Sequence, residues 1–549
     1  MASGPFQRRP QALAIPRDRP DVALLLRAAT REGWHLVPRG GATGMPGGNV
    51  GTGIAVDLST PFRSLTPVDV ETRTLWVGAG VAGREVEQAA RHAGLRFPPL
   101  PSSAPWCTVG GMLACNAAGT RSYRYGSVRE WVTEVEGVLP DGTPFRWAAD
   151  GAANAWAADA GSIYHVPGLG DLDPGHIPWP RVRKNASGYE LPRFLESGNP
   201  LHLLVGSEGT LALITGARLK LAALPEQRAV AVVGLPSEDA LPPSLALAGK
   251  VQASACEFLG HRLLEMLGIS RPAGGCGIPA RPADAGSAPV SGLALLAGFP
   301  PDLWGLVVME TEEPENLDIL RAEARGLDLP FLLTSIPAEM DALWHLRKGI
   351  SPLIRDRAAG GFLSTQFIED SVVPPERLPS YIQGVEELLA EEETDHVLFG
   401  HAGDGNLHLN PLLNVREAGW LERAARLLEG TAELVTGLGG TLSGEHGDGQ
   451  VRAPFLRAIF GSRAMASFQQ LKRAFDPQGI LNPGVILPLP GQDPLAGLHA
   501  GLLWEVGERG SFKKEGFPVS STFGMSPPGD SGLMRPLPPP SKPTAKGTT

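Results

Sequence analysis

The chain has 549 residues, with 48 Lys and Arg against 58 Asp and Glu and a net charge of −10. That length calls for two or three hydrophobic cores, and the acidic balance excludes binding nucleic acid through a basic face. A hydrophobic fraction of 42% and a charged fraction of 19% describe an ordinary soluble globular protein, and no apolar run approaches the ~18 residues of a membrane span. The N-terminal MASGPFQRRPQALAIPRDRP lacks the apolar core of a signal peptide. The expected location is therefore the cytoplasm, with at most peripheral contact at the inner face of a membrane. Cys107, Cys115, Cys256 and Cys276 form no CxxC, so there is no closely spaced ligand set for an iron–sulfur cluster and no disulfide framework.

In chain order, DVALLLRAATREGW reads as a helix, HLVPRG as a short strand and GIAVDLS as another, with a glycine-rich loop between the two strands. LTPVDVETRTLWVGAGV reads as a β-hairpin, AGREVEQAARHAG as a helix, and VREWVTEVEGVLPDGTPFRW as a strand pair around Pro-Asp-Gly. LHLLVGSEGTLALITGARLKL reads as strand–turn–strand and closes an α+β domain at residues 1–222. From there RAVAVVGLP, ASACEFLG, HRLLEMLG and GLVVMETEEP alternate strands with helices, interrupted by a Pro/Gly/Ala-rich loop at 271–291 that should be flexible. ERLPSYIQGVEELLAEEE and WLERAARLLEGTAELVTGLGG read as helices in a second domain, residues 223–490. Residues 491–549 are rich in Pro, Gly and Ser and read as a disordered tail.

Residues 401–408, HAGDGNLH, place two histidines around Asp-Gly, a favoured pair for a two-residue type I′ hairpin. With the turn at Asp404-Gly405, His401 would face His408 across the hairpin, close enough for two imidazoles to share a metal ion. Asn410 would point the same way. A surface hairpin carrying two unrelated histidines is the competing reading.

VPRGGATGMPGGNVG (37–51) presents many backbone N–H groups with few side chains in the way, an anion nest suited to a pyrophosphate. It is not GxGxxG, and no long helix follows, so a Rossmann site is disfavoured. With 69 glycines in the chain, this loop alone decides nothing. Three further stretches do more: PLPSSAPWCTVGGMLACNAAGTRSYRYGSVREWV (99–132), KNASGYEL (184–191) and VGSEGTLALITGARLKL (205–221). In order and spacing they resemble the PCMH-type FAD-binding domain of the vanillyl-alcohol-oxidase class of flavoproteins. FGHAGDGNLHLNP, SGEHGDGQVR and FDPQGILNPGVIL resemble one branch of that class, the D-lactate, glycolate and D-2-hydroxyglutarate dehydrogenases.

The resemblance implies an FAD domain of two α/β subdomains, a ferredoxin-like α+β substrate domain and a C-terminal helical segment. It also implies residue roles. Arg39, Gly40, Gly41, Ala42, Thr43, Gly44, Gly47 and Gly48 would cradle the FAD pyrophosphate. Val109, Gly110, Gly111, Asn116 and Gly119 would run along the pyrophosphate and flavin. Gly206, Ser207, Glu208, Gly209, Thr210 and Ile214 would meet the adenosine side and the isoalloxazine. RGGATG (39–44) has no histidine for a covalent bond to flavin, so FAD is expected to be held non-covalently.

In metal-containing members of the branch, the counterparts of His401, His408 and Glu445 bind a divalent ion, here zinc or manganese. His446 would then be the general base, with Arg347 clamping the substrate carboxylate. Ser351, four residues on, would assist Arg347; Asn410 would face the substrate. Arg452 and Asn482 lie in family motifs and would touch substrate or flavin. Relatives specific for 2-hydroxyglutarate carry a lysine before the Asp of STQFIEDSVVP, where this chain has Gln366, Ile368 and Glu369. The expected substrate is therefore glycolate or D-lactate. The same stretch is closer to members fused to an iron–sulfur domain, and no such domain is expected on this chain. A separate iron–sulfur subunit, quinone or oxygen would take the electrons. The alternatives are a non-catalytic flavin-binding subunit and a transferase of the same fold.

Overall fold

A computed structural model describes residues 6–149, 177–269, 292–313, 315–350, 354, 362–364, 366–498 and 535–536. The helix Arg19–Glu32 buries Val22, Leu25, Leu26 and Ala29, the one-sided spacing of a helix packed on a core. Asp18 caps it by accepting the Asp21 N–H at 2.9 Å, and Gly33 ends it at φ 69°. It shares a core with parallel strands Ala12–Ala14, Ile54–Asp57 and Leu36–Arg39. A second sheet is antiparallel, in the order Thr74–Gly78, Leu213–Lys220, Val132–Val138, Pro144–Ala148.

One expected strand is not there: LHLL forms the helical turn Leu201–Leu204. Asn199 accepts the Leu201 N–H at 3.0 Å and starts the turn. Residues 205–212 then cross to the strand Leu213–Lys220 as a loop.

The larger sheet has the order Phe331–Thr334, Ala229–Leu235, Gly305–Thr311, Ala255–Gly260, Asp395–His401, Asn406–Asn414, Phe362–Ser364. Its first four strands, with helices Leu241–Lys250 and Asn316–Gly326, follow the chain as β-α-β-β-α-β in the spatial order 4-1-3-2. That is the ferredoxin-like arrangement. The fold class is α+β, as expected. Between the two strand systems the chain passes from Leu213–Lys220 to Ala229–Leu235, yet one apolar cluster runs from Val135 and Trp147 through Phe258 and Leu407. The loop at 271–291 lies outside the described residues.

The C-terminal segment returns to the first sheet. After the helix Leu456–Phe475, Leu36 donates to the Ile480 carbonyl and accepts from the Asn482 N–H, each at 2.8 Å. Packing also continues past residue 490, against the expected tail: Leu495 is buried, and the Gln7 N–H donates to Gly497 at 2.8 Å. Arg535–Pro536 pairs with Ala12 and Leu13. The chemistry of a Pro-rich stretch does not prevent pairing at a sheet edge.

Candidate active site

A cleft of about 310 Å³ runs between the two halves. That lies within the ~300–1,000 Å³ of small-molecule and cofactor sites. One wall is mostly backbone. Arg39 to Gly44, Gly48, Gly110, Gly111, Gly119, Glu208, Gly209 and Ile214 line it. At Gly41 a Cβ would lie 2.1 Å from the Trp106 carbonyl oxygen, and at Gly119 it would lie 2.1 Å from that of Leu100. These close approaches set the wall's shape, and with few side chains in the way its N–H groups suit an anionic cofactor. The residues fit FAD.

Other residues of the same motifs stand behind the wall. Asn482 donates to the carbonyls of Gly48 and Glu208, both at 2.8 Å, tying two wall loops together. Asn116 donates to the Asn185 carbonyl at 3.2 Å. Thr210 Oγ1 donates to the Ser207 carbonyl at 2.7 Å, closing the turn that follows Gly206. Gly47 and Val109 are likewise absent from the cleft lining.

The opposite end is charged. The hairpin at 401–408 differs from the expected one: His401 pairs with Asn406, and His408 with Phe399. The loop has four residues because Ala402–Asp404 form a 3₁₀ turn and only Gly405 takes a positive φ, 72°. Asp404 is held in that turn by Ser122 Oγ, which donates to its Oδ2 at 2.6 Å. The two histidines remain on one face as diagonal neighbours, with ring centroids 5.3 Å apart. Ligand atoms of His401, His408 and Glu445 lie within 4.8 Å of one another, all buried. Glu445 Oε1 is 3.4 Å from His401 Nε2, 3.7 Å from His408 Nε2 and 3.4 Å from His446 Nε2.

Each imidazole is aimed from behind. His401 Nδ1 donates to Glu257, His408 Nδ1 to the Glu369 carbonyl at 2.8 Å, and His446 Nδ1 to Glu369 Oε2 at 2.8 Å. This arrangement turns every Nε2 lone pair toward the same space, as ligating histidines require. Asp370 accepts the N–H groups of Gly444, Glu445 and His446 at 3.0, 3.0 and 2.9 Å, fixing the loop that carries the carboxylate and the third imidazole. Lys184 donates to Glu445 Oε2 at 2.6 Å, leaving Oε1 to the histidines.

Burial opposes charge at these groups, and pairing overrides it. Against burial, Arg347 and His401 pull the Glu257 carboxyl down to about 2. Burial also works against His401, but Glu257 raises its proton affinity above the ordinary imidazole value. Lys184 and His401 hold Glu445 well below the carboxylate range despite its burial. Buried carboxylates Glu257, Glu369, Asp370 and Glu445 face the cations Arg347, Lys184 and Arg452. Two aimed imidazoles with the Glu445 carboxylate between them fit a divalent cation.

Arg347 lines the cleft, its Nε on Glu257 at 2.5 Å and its guanidinium over the Phe399 ring. Asn410 lines it too, held by Ser364 at 2.9 Å. Arg452 does not reach it: buried, it donates to Glu369 at 2.8 Å and to the Gly447 carbonyl at 2.6 Å. The guanidinium expected at the substrate thus neutralises the carboxylate that aims His446. Ser351 lies outside the described residues. Sequence reasoning missed Lys184, Glu257, Glu369 and Asp370 as parts of the site. The signal was available in three apolar or motif contexts: Glu257 sits inside the strand ACEFLG, Glu369-Asp370 inside STQFIEDSVVP, and Lys184 at the head of KNASGYEL.

Both halves match known families. A family model described as an FAD binding domain covers residues 10–147, and one for the C-terminal domain of FAD linked oxidases covers 224–486. The chain is 31% identical over 476 residues to a D-lactate dehydrogenase of Archaeoglobus fulgidus, covering 86% of this chain and 90% of that protein. Glycolate oxidase subunit GlcD of Bacillus subtilis is 27% identical over 493 residues, covering 88% and 90%. The 4-ethylphenol oxidase of Gulosibacter chungangensis, solved with isoeugenol, has the same fold at a TM-score of 0.60 and 16% identity, covering 88% and 90%. With likeness along both halves, and to one relative over nearly its whole length, the chain belongs to the FAD-linked oxidases and is a flavoprotein oxidoreductase.

Proposed function

We propose that this protein oxidises a small D-2-hydroxy acid, glycolate or D-lactate, to the 2-oxo acid, and is neither a silent flavin subunit nor a transferase. The observation that carries this reading is a meeting in one cleft: the backbone wall, Arg347, His446 and the His401–His408–Glu445 cluster. The names of relatives point to the class of 2-hydroxy acids, D-lactate and glycolate beside D-2-hydroxyglutarate.

FAD, when bound along the wall, supplies the acceptor for the hydrogen and electron pair that leave C2. A zinc or manganese ion, when held by His401, His408 and Glu445, supplies a Lewis acid for the substrate's hydroxyl and carboxylate oxygens. Arg347 binds the substrate carboxylate, and its anchorage on Glu257 keeps the guanidinium from swinging away. His446 takes the hydroxyl proton at Nε2 while its Nδ1–H stays on Glu369, which orients the ring for that transfer. Gln366 lines the cleft where a second carboxylate would need a cation, which favours a monocarboxylate. FAD is held without a covalent bond, since RGGATG has no histidine. The electrons then pass to an acceptor, an iron–sulfur subunit, quinone or oxygen.

The test is a substrate panel under anaerobic conditions. D-lactate or glycolate should bleach the flavin absorbance and reduce a dye acceptor, and acid precipitation should release all FAD into the supernatant. A flavin that no 2-hydroxy acid reduces would overturn the reading.

A further inference from the structure

Glu257 has no role in the account above beyond holding its neighbours, yet its position is unusual. It lies in the middle of the strand Ala255–Gly260, fully buried, next to the strand that ends in His401. Its two oxygens do different things. Oε1 accepts from His401 Nδ1, and Oε2 accepts from Arg347 Nε. One carboxylate therefore stands behind a candidate metal ligand and behind the candidate carboxylate clamp at once. The two come from different elements: His401 ends the strand Asp395–His401, and Arg347 lies in the helix Pro337–Lys348.

We infer that Glu257 is a positioning residue shared by the metal half-site and the substrate-carboxylate half-site, setting the distance between them. The inference rests on the functional reading above for the names of the two half-sites. Its chemistry is specific. Both partners present an N–H: Arg347 always, and His401 whenever its Nε2 lone pair faces the cluster. Only a group that accepts through both oxygens satisfies both. A glutamine has the same shape but one acceptor, so its amide N–H₂ must confront either Arg347 or His401. A merely structural glutamate would lower stability on replacement without moving two separate binding constants.

The experiment uses FAD-loaded full-length protein and two probes that do not require turnover. Zn²⁺ affinity is measured by equilibrium dialysis. Propionate affinity is measured in ion-free protein by perturbation of the flavin spectrum; propionate has the carboxylate but no hydroxyl with which to chelate. Glu257→Gln should weaken Zn²⁺ by about 10–100-fold, the usual cost of losing the partner behind a ligand, and weaken propionate by about 10-fold or more (roughly one factor of ten per 1.4 kcal/mol). Arg347→Met should lose propionate and keep Zn²⁺, and His401→Ala should do the reverse. Only Glu257 should move both. Glu257→Gln with either constant at the wild-type value, at normal FAD content, overturns the inference. If Glu257→Gln does not fold, Glu257→Asp carries the same test, because a carboxylate one methylene shorter keeps the charge but cannot span both partners. Wild-type protein that binds both probes, with Glu257 coupling them, yet oxidises no 2-hydroxy acid would sink the functional reading and leave the inference standing. Active enzyme whose two constants ignore Glu257 would sink the inference alone.

Discussion

The two walls of the cleft recognise by opposite means. The wall at 39–44, 110–111 and 208–209 is mostly backbone held in close approach, and at Gly41 and the neighbouring Gly119 a Cβ would strike a carbonyl oxygen. The end at His401, His408, Glu445 and His446 is a set of buried charges, each aimed by another. The first should tolerate changes of charge and fail on added bulk. The second should tolerate little change of charge at constant shape, because an unpaired buried ion costs more than a lost contact.

The sharpest break of that contrast is removal of the proposed ion. Chelation should abolish turnover while FAD content stays full, and His401→Ala and His408→Ala should behave alike, as ligands of one ion. Stoichiometric metal analysis beside the flavin spectrum checks this; full activity in metal-free enzyme would return the two histidines to a structural role. Bulk on the other wall should do the converse. Gly41→Ala puts a methyl against the Trp106 carbonyl, so the purified protein should be largely free of flavin yet still take up Zn²⁺ in dialysis.

Within the charged end, the roles should separate. His446→Ala should cost ~10²–10⁴ in kcat, the typical worth of a general base, with metal and FAD contents unchanged. Arg347→Ala should instead raise KM for D-lactate or glycolate by roughly 2–5 kcal/mol of lost binding, the cost of breaking a buried charged pair. Single-turnover flavin reduction distinguishes the two. An unaltered KM would leave Arg347 as no more than the partner of Glu257.

The smallest effect concerns acid. On the flavin side, burial and then Arg129 push His202 down to about 4, so the folded protein refuses a proton that the unfolded chain accepts at its ordinary 6.5. Stability should therefore fall as pH drops from 6.5 toward 4 and level off below. Thermal melts of His202→Gln across that range should show a flatter dependence than the parent protein.

Much of the fold was legible in local stretches. The helix at Arg19–Glu32, the strand pair around Gly142 and the long helix Trp420–Gly437 follow from periodicity and turn residues. The turn in HAGDGNLH was not legible, because Asp-Gly suits both a two-residue and a four-residue loop. Ser122, far away in the chain, selects between them through Asp404. LHLL was misread for a related reason: four apolar residues fit a strand or a helical turn equally, and Asn199 with core packing decides.

Glu445 entered only with the family resemblance; by itself, the amino-acid sequence determined the chemistry of the glycine loop, the two histidines around Asp404-Gly405, and the absence of a histidine from RGGATG. These are properties of residue type and short spacing. Only the tertiary structure decided what stands behind them. Lys184 is 261 positions from Glu445, and Glu257 is 144 from His401. Arg452 is spent on Glu369 rather than on substrate. Buried charges choose partners through space, at whatever separation along the chain the fold imposes, and no local pattern records that choice.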